Sequence, residues 1–67
     1  MKNNVFGENL RTLRLSEKIS QDELGKRLGV CNQTVSFWEI GKREPDLDML
    51  VKIADCFQVS IDYLLGK

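Results

Sequence analysis

Apolar positions in this chain recur at helical spacing. Phe6, Leu10 and Leu13 fall at i, i+4 and i+7, one stripe of a helix predicted over about Val5 to Lys18. Asn3 or Asn4 precedes it as a candidate N-cap. Arg11, Arg14 and Lys18 form an expected basic ridge beside the stripe. The next start is marked by Ser20 and Glu23, the S-x-x-E spacing of a capping box. That helix turns Leu24 and Leu28 inward and ends at Gly29, which suits a left-handed C-cap. Gly25 inside it costs about 1 kcal/mol relative to alanine and predicts the close passage of another helix. A third helix spans about Asn32 to Ile40 and stops at Gly41. The loop "GKREPD" follows, with Pro45 as breaker. Asp46 caps a fourth helix with Leu47, Leu50, Val51, Ala54 and Phe57 as its apolar stripe. Ser60 caps a short fifth helix containing Ile61, Leu64 and Leu65. Alternating β-branched runs are absent, so the prediction is an all-α domain of five short helices over residues 1–67.

Composition narrows the classes. A chain of 67 residues buries roughly 60% of its unfolded surface, so most apolar side chains are needed for one core. No apolar run approaches the ~20 residues of a membrane span, and no basic-then-apolar leader opens the chain. The expectation is a cytoplasmic, nucleoid-associated protein with no membrane partner. Cys31 and Cys56 lie far apart, without a C-x-x-C pair and without any histidine. They are expected as reduced thiols, Cys56 in the core, with no metal and no cofactor. No glycine-rich phosphate loop or nucleophile–base pairing suggests an enzyme or a small-molecule ligand. The formal net charge is zero, but its distribution is uneven. Residues 1–43 carry eight basic against five acidic side chains, a net of +3; residues 44–67 carry two against five, a net of −3. A neutral chain can still present a basic face, because a polyanion senses local charge.

The segment of about 21–40 is built as a helix, a tight turn at Gly29-Val30-Cys31, and a second helix. Leu24, Leu28, Val30, Val35 and Trp38 are its inward residues. This is a helix-turn-helix with the second helix free to project. The stretches "LRTLRLSEKISQDELGKRLGV", "QTVSFWEIGKREPDLDMLVKIADCF" and "VSIDYLL" together resemble the phage-repressor, lambda-repressor-like or Cro-type helix-turn-helix family, over about Phe6 to Leu65. The resemblance implies a compact five-helix lambda-repressor-like fold, sequence-specific binding to an operator in double-stranded DNA, and regulation of transcription, most simply as a repressor. It also implies a homodimer, at least on DNA, with its contact surface in the last third near Gln58 to Lys67. The alternative is a protein-interaction module, such as an antitoxin or controller protein, with secondary DNA binding.

At 100° per residue, Asn32, Gln33, Ser36 and Phe37 share the face of the third helix opposite Val35 and Trp38. They match the family's base-reading positions. Asn and Gln can pair with adenine N6 and N7 in the major groove, and Ser36 can donate or accept. Phe37 either packs on a thymine methyl or covers a neighbouring apolar side chain. Thr34 leans toward the turn, as a structural group or a secondary contact. Phosphate contacts are expected from Gln21 at the start of the second helix, from Lys42 and Arg43 in the following loop, and from Arg14. Arg14 and Glu39 are expected, by resemblance, to pair between the first and third helices. The chain departs from the family at Gln58, where glycine is frequent and φ > 0 is expected, and at Ile40, which touches the DNA backbone or packs on a partner.

Overall fold

Five α-helices follow one another in a computed structural model that describes residues 4–67. They are α1 (Val5–Ser16), α2 (Gln21–Leu28), α3 (Asn32–Glu39), α4 (Leu47–Phe57) and α5 (Ile61–Leu64), with no strand among the described residues. α3 packs on α1 and α2, α4 covers α2, and α5 closes against α1 and α4. The buried cluster draws Phe6 and Leu10 from α1, Leu24 and Leu28 from α2, and Val35 and Trp38 from α3. α4 and α5 add Leu50, Ile53, Ala54 and Leu64. Leu13, Val30, Cys56, Phe57, Ile61 and Leu65 lie half-buried against it. No helix among the described residues is long and apolar enough to cross a membrane.

The helix starts follow the local chemistry. Ser20, Asp46 and Ser60 each accept a hydrogen bond from the backbone N–H three residues on, at 3.0, 2.8 and 3.0 Å. α1 is different. Asn3 lies outside the described residues, and Asn4 occupies the cap position with φ 50° and makes no side-chain cap bond. Its amide instead donates to the Glu39 carbonyl at the end of α3, at 3.2 Å.

The helix ends share one device. In each helix a residue of positive φ follows the last turn, and the next N–H reaches back five residues, as in a Schellman motif. The bonds are Ile19 to Arg14 (3.3 Å), Val30 to Gly25 (2.9 Å), Lys42 to Phe37 (2.9 Å), Val59 to Ala54 (3.0 Å) and Lys67 to Asp62 (2.8 Å). The positive-φ residues are Lys18, Gly29, Gly41, Gln58 and Gly66. α1 therefore stops at Ser16, and Lys18 belongs to its terminating turn. Gln58 adopts φ 55°, as the sequence implied. An L-residue is strained there, so Gln58→Gly is expected to stabilise the chain by about 1 kcal/mol. A thermal melt followed by circular dichroism should show Tm raised by about 4–8 °C. An unchanged Tm would mean that the glutamine is not strained.

Three expectations are corrected. Leu47 and Val51 are 71% and 43% exposed, because Leu50, Ile53, Ala54 and Phe57 already fill the inward stripe of α4. Leu47 is the first helical residue, and at that exposure it overhangs the packed layer. Gly25 is required by the turn rather than by a passing helix: a Cβ there would stand 2.6 Å from the Val30 carbonyl oxygen. The close helix crossing occurs at Gly7, where a Cβ would stand 2.5 Å from the Trp38 carbonyl oxygen and 2.6 Å from that of Glu39. Arg14 is buried and belongs to no surface ridge.

Candidate nucleic-acid interface

α3 is held to the domain along one side. Val35 is fully buried and Trp38 is 4% exposed. At its C-terminal end Glu39 collects four hydrogen bonds. Its carboxylate accepts from Arg14 Nε at 2.7 Å, Arg14 Nη2 at 3.1 Å and Gln21 Nε2 at 3.0 Å. Its carbonyl accepts from Asn4. α1, the start of α2 and the end of α3 thus meet at one buried carboxylate, which fixes the axis of α3.

This network holds two of the side chains expected at phosphates, Arg14 and Gln21. Arg14 Nη1 also donates to the Ile19 carbonyl at 2.9 Å, and the residue is 9% exposed. All three guanidinium nitrogens make a hydrogen bond inside the protein, which ties Arg14 to the end of α3. The Gln21 side chain donates to Glu39 at the start of α2, where backbone N–H groups suit an anion.

The outward face of α3 carries Asn32 and Gln33, both exposed, and Ser36 and Phe37, both half-exposed. Cys31 sits in the N-cap position without a side-chain cap bond. Thr34 turns toward it, its hydroxyl 3.3 Å from Cys31 Sγ. That hydroxyl, followed by the Thr34 backbone N–H, holds the exposed thiol below its ordinary pKa range. Cys31 and Cys56 are both free thiols. Ile40 is 60% exposed at the helix end.

Lys42 and Arg43 leave the C-terminal turn of α3 on the same side as Phe37. Lys42 Nζ lies 5.7 Å, and Arg43 Cζ 5.8 Å, from the centroid of the Phe37 ring. Both backbone N–H groups donate to the Phe37 carbonyl, at 2.9 and 3.3 Å. The structure therefore brings together the α3 face and the loop cations. The sequence pattern had not shown the ring–cation contact, the Gln21–Glu39 bond or the Asn4 tether.

A helix-turn-helix family model matches residues 10–64 of the chain. An uncharacterized helix-turn-helix transcriptional regulator of Bacillus subtilis, YqaE, is 38% identical over 61 residues, 91% of this chain and 53% of that protein. The chain spans about half the length of the curated relatives it matches. Among solved structures, the P22 c2 repressor in complex with a synthetic operator superposes with a TM-score of 0.84. It is 41% identical, with 88% of this chain and 89% of that chain covered. The restriction–modification controller protein C.AhdI of Aeromonas hydrophila superposes with a TM-score of 0.81 at 30% identity, covering 90% and 91%.

Proposed function

The chain belongs to this helix-turn-helix family, and we propose that it binds an operator in double-stranded DNA sequence-specifically and regulates transcription. The observation that carries the proposal is the α3 face. Asn32 and Gln33 stand exposed on a helix whose other side is anchored by Val35, Trp38 and Glu39, with Lys42 and Arg43 beside them. Amides are ordinary choices for base edges, and cations at the helix end suit the flanking phosphates. The likeness to an operator-bound phage repressor agrees in fold and in sequence.

In this reading Asn32, Gln33 and Ser36 meet base edges. The start of α2, Lys42 and Arg43 meet phosphates. One such domain offers a small interface, so two copies on two half-sites about one helical turn apart give useful affinity. The surface near Gln58 to Lys67 is proposed to join them, and the protein is proposed to act in the cytoplasm on the nucleoid, without a catalytic role. The alternative, an antitoxin or controller with secondary DNA binding, is supported by the likeness to a controller protein.

The test is selection of bound sites from random duplex DNA, followed by Gln33→Ala on the selected site. The substitution is expected to weaken binding by ~1–3 kcal/mol and to relax preference at one base pair. Equal loss on every sequence would remove Gln33 from base reading. Failure of the intact chain to enrich any sequence would sink the proposal itself.

A further inference from the structure

Phe37 has a place on the α3 face that neither hydrogen bonding nor burial explains. The turn that ends α3 puts Phe37 and Lys42 at the two positions of a Schellman motif whose side chains ordinarily meet in an apolar contact. Here the backbone bond from Lys42 N–H to the Phe37 carbonyl is present at 2.9 Å, but the side chain brought over the ring is an ammonium. Arg43, tied to the same carbonyl, brings a guanidinium to a similar distance. Both centres lie within the roughly 6 Å over which an aromatic face attracts a cation. Two neighbouring like charges are thereby collected at one ring, at the point where α3 passes into the loop.

We propose that Phe37 is a positioning residue: its ring holds Lys42 and Arg43 in place for the DNA backbone and reads no base itself. The proposal rests on the DNA-binding reading above. Its physical basis is entropy. Long cationic side chains lose rotamer freedom when they settle on a phosphate, and a ring that already holds them reduces that loss. An aliphatic side chain would meet a thymine methyl equally well, so only the cations make use of the aromatic face.

The experiment compares wild type, Phe37→Leu, Phe37→Tyr and the pair Lys42→Ala/Arg43→Ala, with and without Phe37→Leu, on the selected operator and on single-base variants of it. Thermal melts accompany each protein, because leucine leaves a smaller side chain at a half-exposed site. Phe37→Leu is expected to weaken binding about fivefold, roughly 1 kcal/mol, alike on every sequence. Phe37→Tyr, which keeps the aromatic face, should restore it. In the Lys42→Ala/Arg43→Ala background, Phe37→Leu should add less than about twofold, because the groups it positions are gone. A change of preference at one base pair on Phe37→Leu would make the ring a thymine reader and overturn the proposal. The same fivefold loss in both backgrounds, or no rescue by tyrosine, would overturn it too. Wild-type binding with an unaffected Phe37→Leu variant sinks this inference alone, whereas absence of wild-type binding sinks the DNA reading. In that case the free protein still decides the contact: Lys42 and Arg43 methylene resonances should carry upfield ring-current shifts in wild type and lose them in Phe37→Leu.

Discussion

Trp38→Ala is expected to remove about 3–5 kcal/mol of stability, a third or more of what a chain this size has. The indole is 4% exposed and belongs to the buried cluster shared by every helix. Its outer edge lines a cleft of about 220 Å³ with Thr34, Arg43, Pro45 and Met49. The cleft is already open to solvent, so the vacated volume would fill with water rather than close by collapse. The backbone at Trp38 also has no slack, since its carbonyl lies against Gly7 where α1 and α3 cross. At roughly 0.05–0.15 kcal/mol per residue, 67 residues supply only about 3–10 kcal/mol in all. The variant should therefore show little cooperative melting by circular dichroism, whereas Trp38→Phe should still melt cooperatively. A Trp38→Ala protein with the wild-type Tm would show that the indole holds nothing together. Its sequence neighbour provides the contrast. Phe37 is half-exposed, and its substitution is expected to act on binding while leaving most of the stability intact.

Features that depend on a few adjacent residues were legible in the sequence. Ser20, Asp46 and Ser60 cap helices because the competing geometry is settled within four residues. Gly29 and Gly41 end them for the same reason, whereas the positive φ at Gln58 was legible only through the family resemblance. The outward face of α3 followed from helical angle alone. Features set by the far side of the fold were not legible. Leu47 and Val51 satisfy the apolar period of α4, yet the fold leaves them 71% and 43% exposed. Gly7 looks like any helix-weakening glycine until α3 is laid across it.

The burial of Arg14 is a different matter, because the signal was present. Phe6, Leu10 and Arg14 lie at i, i+4 and i+8, so Arg14 continues the buried stripe of α1. Glu39 likewise stands four residues beyond Val35 on the buried side of α3. Two opposite charges, each extending an apolar stripe, are the mark of a pair that meets inside. The apolar period, not the charge, decides where Arg14 lies.

That pair supports the second large prediction. Glu39→Ala leaves the Arg14 guanidinium buried with, among the described residues, only the Ile19 carbonyl to accept from it, and releases Gln21 as well. Removing one partner of a buried pair costs about 3–5 kcal/mol, because the other charge is left uncompensated. Arg14→Ala should cost a similar amount by stranding the carboxylate. The double variant Arg14→Met/Glu39→Leu behaves otherwise. Two apolar side chains of comparable length remove the desolvation cost together with the attraction, so stability is expected to return to near wild type or above it. Equilibrium urea unfolding of the two single variants and the double variant measures this coupling directly. If the double variant is as unstable as the singles, packing at that site, not charge pairing, holds the helices. The double variant also separates stability from orientation. A shape-matched apolar pair does not fix α3 by directional bonds and gives Gln21 no acceptor. The folded double variant is therefore expected to bind the selected operator more weakly than wild type, on all sequences alike. Undiminished binding would show that the bidentate pair keeps the fold without aiming the helix.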